Sequence, residues 1–455
     1  MKRTSLFILI LTITEGMVFS QKLLDIYKNG PVKLVPETSY GSKNNWTTLF
    51  NLYYDTIKKD VASRWNDKKI IIAPDGSVFM NHMNRHEIWK FGPDGTFLKK
   101  FGTKGGKANQ FPMLPTVQGV VDGKYVFTDD VNARLKFFDM DGNYFKSITL
   151  KYMTRKFQPT TNGDILLTGW VLWRTQEPRS NTPKYNNRTI VVRLNLYSGD
   201  EKIIYSAFEN DMTSLKDSIH DNSTVGLIGG KYLPSYMTLK RPEIVLLPDG
   251  RFMILDRTFG KVDIYDKTGK RSGGFQLDIT PLKITEQDAL ENYESVRQTL
   301  LKSIKRAEAM PDTSVKKVSK GERGTTPGTM ISTYPNKYEI ISRAQDALTK
   351  IERLKDVNYY FPHLPYFSNI ISDDEGNLLV FEYTNRDEKN GNIFNVIAYD
   401  NNGRKLARTS FICEDYDLSF SESTFVISKG YVYAIAKLKN TTGMPLRLVK
   451  FKITN

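Results

Sequence analysis

The chain of 455 residues has one cysteine, Cys413, and four histidines. A single thiol excludes an intramolecular disulfide, and the missing paired-cysteine spacing excludes the cysteine-based zinc modules. There is no Gly-Lys-Ser/Thr phosphate loop and no Gly-x-Ser-x-Gly elbow, so neither signature chemistry is written here. Residues 102–107 are glycine-rich and basic, but no helical pattern follows them, and they read as a link between elements. No apolar run reaches the ~20 residues that cross a bilayer. The short run at 6–13 follows Lys2 and Arg3 and precedes Val18-Phe19-Ser20, the pattern of a secretory signal. The expectation is a signal peptide over 1–20 and an exported mature chain, periplasmic or extracellular, with no transmembrane segment.

What is present is a globular composition, with 40% hydrophobic and 12% aromatic residues and a formal net charge of +15. The basic residues are scattered, apart from a cluster over 302–323. Scattered charge reads as a solvated surface, and no nucleic-acid partner is expected.

The strongest signal is an internal repeat. Asp75-Gly76 is followed nineteen residues later by Asp94-Gly95, Asp122-Gly123 by Asp141-Gly142, and Asp249-Gly250 by Thr268-Gly269. Twelve residues after the first glycine of each pair stands an apolar residue: Ile88, Leu135 and Val262. One register used three times means one structural unit repeated. Each unit reads as four short strands; in the second they fall at 116–121, 124–128, 134–139 and 143–150, with Gly supplying positive φ in the tight turns. Six units fit, at 69–101, 117–150, 156–207, 240–277, 365–412 and 416–455, the third, fifth and sixth more loosely. Four-stranded units of this kind close radially, because a ring leaves only short protected edges.

Phe91-Gly92-Pro93-Asp94-Gly95-Thr96-Phe97, Val126-Phe127-Thr128-Asp129 with Asn132-Ala133-Arg134-Leu135, and Val262-Asp263-Ile264-Tyr265-Asp266 resemble NHL repeats. The resemblance covers 69–150 and 240–277 best. It implies an all-β, six-bladed β-propeller like the secreted bacterial propellers of NHL type, a family largely without assigned activity.

The expected organisation is a 21–68 N-terminal segment, blades one to four over 69–277, an α-helical insertion over 278–361, and blades five and six over 362–455. A strand from 33–40 would latch the ring. In the insertion, Thr285 with Asp288 reads as an N-terminal capping box; Leu290, Tyr293, Leu301 and Ile304 form an apolar stripe. A second helix is expected over 337–356, with Ile341, Ala344, Leu348 and Ile351 at helical spacing. The long segments, 102–116, 171–188, 208–239, 278–361 and 384–392, all leave by the side opposite the tight turns. Loops on a rigid scaffold carry recognition, so that side is the expected ligand face.

On it the expected contacts are Trp170, Trp173 and Arg174, with His82, Arg134, Arg257 and Tyr383. Exposed aromatics beside a polar loop stack on sugar rings or other flat ligands; packing into the ring is the other reading. Where strand two ends in each unit stand His82, Asp129, Gly169, Asp256, Glu382 and Ala436. Asp129, Asp256 and Glu382 offer carboxylates to a Ca²⁺ ion, or else cap turns and pair with neighbours such as Arg134. His82 and His86 lie on a strand and its turn, not one helical face, which disfavours zinc. No other cofactor is expected. The leading expectation is a non-catalytic propeller binding a glycan, peptide or protein. The alternatives are a metal-dependent hydrolase or lyase resembling paraoxonase-like propellers, and a structural envelope platform.

Overall fold

The structure, a computed structural model, describes residues 23–51, 54–55, 60–61, 69–81, 85–129, 134–174, 185–208, 242–310, 337–360, 362–373, 376–382, 393–418, 424–441 and 444–455. For 54–55, 60–61, 170–174, 185–187, 208 and 359 this is the backbone alone. The signal-like segment, His82 and Tyr383 lie outside the described residues. The chain forms two compact units. The smaller takes in the described residues from 281 to 365, and the larger holds the rest.

The larger unit is a succession of antiparallel four-strand runs. The first comprises Ile70–Ile72, Val78–Asn81, Ile88–Phe91 and Phe97–Phe101, and the second Thr116–Val121, Tyr125–Asp129, Arg134–Asp139 and Tyr144–Thr149. The third comprises Met153–Pro159, Asp164–Arg174, Tyr185–Asn195 and Glu201–Phe208, and the fourth Glu243–Leu246, Phe252–Leu255, Lys261–Tyr265 and Arg271–Gln276. The fifth comprises Asn369–Ser372, Leu378–Phe381, Ile393–Tyr399 and Lys405–Ile412. The last comprises Phe425–Ser428, Tyr431–Leu438 and Leu446–Thr454, with the short strand Tyr416–Asp417 also on Tyr431–Leu438.

Burial explains this order. In the first run Val78–Asn81 and Ile88–Phe91 are buried at every position, whereas Phe97–Phe101 alternates half-buried and exposed. The middle strands are covered on both faces by neighbouring sheets, and the fourth strand alternates toward water. Tyr144–Thr149 alternates in the same way. Inner strands packed on both faces and outer strands half-wetted are the pattern of a β-propeller-like fold.

The turns between strands one and two, and between three and four, share one edge of each sheet, the turn edge. The start of strand one and the end of strand two share the opposite, link edge. At the turn edge Gly95 takes φ 77°, and a Cβ there would stand 2.6 Å from the Tyr40 ring. The preceding aspartates tie these turns: Asp94 Oδ1 accepts from the Thr96 backbone N–H at 3.0 Å, and Asp266 Oδ1 from that of Thr268 at 2.8 Å.

Val32–Pro36 pairs antiparallel with Leu446–Thr454, Leu34 opposite Ile453, and parallel with the fifth run's outer strand through Val32↔Phe411. One strand from the N-terminal end thereby joins the last two runs into a nine-stranded sheet. Next to it, the short helix α1 (Trp46–Phe50) buries Trp46 and Phe50, with Trp46 stacked 6.4 Å from Phe91.

Some of the basic residues tie neighbouring runs of this unit together. Lys90 donates to Met140 O at 2.8 Å, Lys99 to Asp141 O at 2.7 Å, Arg193 to Lys267 O at 2.6 Å and Lys429 to Pro74 O at 2.7 Å. Lys136, 1% exposed, donates to the carbonyls of Ala108 and Gln110 and stands 5.3 Å over the Phe111 ring. Each cation bonds a carbonyl that a neighbouring turn or link leaves without a strand partner. The reading of all these lysines as solvated surface is corrected to that extent.

In the smaller unit, helix α2 (Glu286–Glu308) starts at a full Thr285–Asp288 capping box. Helix α3 (Lys337–Lys350) runs into the 3₁₀ turns Ile351–Lys355 and Val357–Tyr359. Their core is Val296, Leu300, Ala344, Ala347, Ile351 and Leu354, with Tyr293, Ile304 and Leu348 packed against it. Of the expected α2 stripe, Tyr293 and Ile304 pack on this core and Leu290 and Leu301 do not. Leu290 and Leu301 are 47% and 37% exposed, while Ala289, Val296, Leu300 and Ala307 are buried. Asn292, fully buried, donates to the Tyr360 hydroxyl at 3.0 Å, which itself donates to Leu354 O at 2.8 Å.

Candidate functional site: the channel of the larger unit

The first strands of the runs described above line one cavity of about 420 Å³. Just over half of its lining residues are Ile, Val, Leu and Phe, with Lys69, Gln118, Lys156, Gln158, Ser372, Asp373 and Ser428 as polar groups. Two β-bulges lie in this wall. Register shifts between Val117 and Gly119, leaving Gln118 as the extra residue, and again between Thr154 and Lys156. Bulges re-aim side chains; Gln118 is the extra residue of the first, and Lys156 directly follows the second.

The polar groups pair across neighbouring runs. Lys69 Nζ donates to Gln118 Oε1 at 2.7 Å, and the Lys69 backbone N–H to Asn81 Oδ1 at 2.9 Å. Glu243, the first residue of its strand, forms ion pairs with Lys156 and with Arg257, the latter at 3.0 Å. Arg257 also stands 5.1 Å over the Phe367 ring. Burial works against ionisation of Glu243, but Lys156 and Arg257 outweigh it and hold the carboxyl below its usual range. At the other end, Asp373 is spent on the turn, accepting from the Asn377 backbone N–H at 2.8 Å and its side-chain amide at 2.9 Å.

Asp129 accepts from Thr154 Oγ1 at 2.8 Å. Asp256 Oδ1 accepts from the backbone N–H groups of Thr258 at 2.7 Å and Phe259 at 3.2 Å, so it closes its own turn. Glu382 stands 3.4 Å from Arg408; burial pushes its carboxyl up, against the pull of Arg408. Gly169 and Ala436, at the equivalent positions, are closely packed: a Cβ on Gly169 would meet Met153 O at 2.5 Å, and Ala436 is fully buried. Among the described residues no three His, Cys, Asp or Glu side chains come together as metal ligands. Asp129, Asp256 and Glu382 are not brought together as a set. His86 Nδ1 lies 2.8 Å from Phe111 O, fastening the link between the first two runs, and His363 Nδ1 lies 2.8 Å from Leu364 O.

Trp170, Trp173 and Arg174 lie within a strand, where an insertion was expected to begin. Asp164–Arg174 pairs with Tyr185–Asn195 along its whole length, Trp170 opposite Thr189, Trp173 opposite Asn186 and Arg174 opposite Tyr185. The first strand of the run reaches only to Met153, opposite Trp170. From Val171 to Arg174 the hairpin therefore continues past it at the link edge. Arg134 starts its strand opposite Thr149, and Arg257 belongs to the Glu243 cluster. Sequence reasoning missed Lys69, Gln118, Lys156 and Glu243. Their signal was available as polar residues in or beside otherwise apolar first strands.

No protein-family model matches the sequence, and no curated protein matches it. Among solved structures, a member of the DUF4221 family from Bacteroides vulgatus aligns at a TM-score of 0.44 and 12% identity. It covers 94% of this chain and 100% of its own. The TM-score and identity of that alignment are 0.44 and 12%. Regucalcin, a calcium-binding protein from Agrobacterium tumefaciens, aligns at 0.36 and 9% identity, over 84% of this chain and 90% of its own. A gluconolactonase from Xanthomonas campestris aligns at 0.36 and 8% identity, over 85% of each chain.

Proposed function

We propose that the chain is an exported six-bladed propeller, with a helical insertion between blades four and five, that binds a glycan, peptide or protein partner without catalysis. The binding face is the link-edge mouth of the channel. The observation that carries this is the cavity of about 420 Å³ walled by first strands from six runs, a concavity whose apolar wall carries polar groups able to orient a ligand. Trp170, Trp173 and Arg174 on the extended hairpin, with His82, Arg134, Arg257 and Tyr383, supply the contacts. The non-catalytic reading is supported by the acids nearby: Asp256 closes a turn, Asp129 holds Thr154 and Glu243 is doubly paired.

The test is a glycan array and a peptide library probed with the 21–455 chain, its Trp173→Ala variant and its Gln118→Ala variant. Hits lost in both variants, at unchanged far-UV circular dichroism, are the expected result. Absence of hits would overturn the binding reading. A melting temperature that falls with EDTA and returns with Ca²⁺, together with turnover of lactones or esters, would replace it with the metal-dependent hydrolase.

A further inference from the structure

A second cavity of about 330 Å³ lies where the N-terminal segment meets the last run, and shares no lining residue with the channel. Its walls include Glu37, Tyr40 and Trp46 on one side and Tyr416 and Arg447 on the other. The volume falls within the range of small-molecule sites, about 300–1,000 Å³.

The charges in the wall do not cancel. Glu37 is neutralised by Lys450 at 3.0 Å. Arg447 is half-buried and has no ion-pair partner among the described residues, so it leaves one cation in the lining. Asn44 is already committed, donating to Gly95 O and accepting from the Phe97 backbone N–H, each at 2.8 Å. The Tyr40 hydroxyl is buried with no hydrogen-bond partner among the described residues. Burial, with Tyr433, Asp94 and Glu37 nearby, keeps that phenol protonated, so it stays a donor. A guanidinium is always charged, and its fork matches the two oxygens of a carboxylate. Trp46 and Tyr416 add aromatic wall for the body of the molecule.

We propose that this cavity binds a small organic carboxylate with a ring-sized body, Arg447 receiving the carboxylate. The site stands or falls independently of the channel. The test is isothermal titration calorimetry of the 21–455 chain with two matched pairs: D-glucuronate against methyl β-D-glucoside, and phenylacetate against phenylacetamide. The expected result is binding of at least one carboxylate, with its uncharged counterpart weaker by about tenfold or more. Arg447→Gln should lose that preference. Which pair responds separates a sugar acid from an aromatic acid. No heat from either carboxylate, or equal binding of acid and uncharged counterpart, overturns the proposal, and neither result depends on a variant folding. So does a preference that survives in a folded Arg447→Gln.

Discussion

The strand Val32–Pro36 carries a prediction with its own internal control. Its burial alternates, with Val32 fully buried, Leu34 4% exposed and Val35 47% exposed. Leu34 sits in a core cluster with Val32, Phe411, Phe451 and Ile453, residues drawn from both of the runs it joins. Leu34→Ala removes buried carbons and leaves a space that Phe411 and Phe451, held in their own strands, refill only in part. The cost is about 2–5 kcal/mol. Val35→Ala, one residue along and facing water, is expected to change stability by no more than about 0.5 kcal/mol. The two units can unfold separately, so the probe must report on the larger one. Intrinsic tryptophan fluorescence does so, because no tryptophan falls in residues 281–365 of the smaller unit, while Trp46 and Trp89 are buried in the larger. Urea denaturation followed by this signal should show a clearly lower midpoint for Leu34→Ala and an unchanged one for Val35→Ala. Equal midpoints for the two variants, or a larger shift from Val35→Ala, would refute the pairing of this strand with Leu446–Thr454.

Three further outcomes are expected. The Glu243 carboxyl is held below its usual range, so its contribution to stability is full above the unfolded-state pKa of about 4.3 and is lost as pH falls through the folded value. The stability gap between wild type and Glu243→Gln should therefore narrow from pH 7 toward pH 3, and a constant gap would contradict the Lys156–Glu243–Arg257 cluster. Gly95 and Gly199 take φ values of 77° and 78°, but a Cβ at Gly95 meets the Tyr40 ring at 2.6 Å while one at Gly199 meets nothing within 4 Å. Gly199→Ala should cost about 1–2 kcal/mol for the backbone alone and Gly95→Ala more, read as the difference in thermal unfolding. Lys136→Met leaves the carbonyls of Ala108 and Gln110 without their cation and should destabilise by about 1–3 kcal/mol, measured by the same urea titration. An unchanged midpoint would mean that those carbonyls find other partners.

The strands of the second run fall within a residue or two of where the sequence puts them. There each turn is announced by its own Asp-Gly and each strand by its own alternation. The capping box at Thr285 was legible for the same reason, since Thr285 and Asp288 meet within one helical turn. The α2 seam was legible only in part: Tyr293 and Ile304 pack on it as read, while Val296 and Leu300 enter it because the partner helix covers that side. Trp170 and Trp173 were read as the start of an insertion, although their strand continues opposite Tyr185–Asn195.

What the sequence determined by itself is therefore the local grammar: repeat, turn, strand and cap, each set by contacts a few residues apart. The tertiary structure alone decided that Val32–Pro36 pairs with Leu446–Thr454, and that Lys156 and Arg257 meet on Glu243. It likewise decided that a bulge sets Gln118 in the channel wall. Those contacts join segments far apart in the chain, and their free energy exists only once the neighbouring sheets have packed. No short stretch of sequence carries the geometry that selects them.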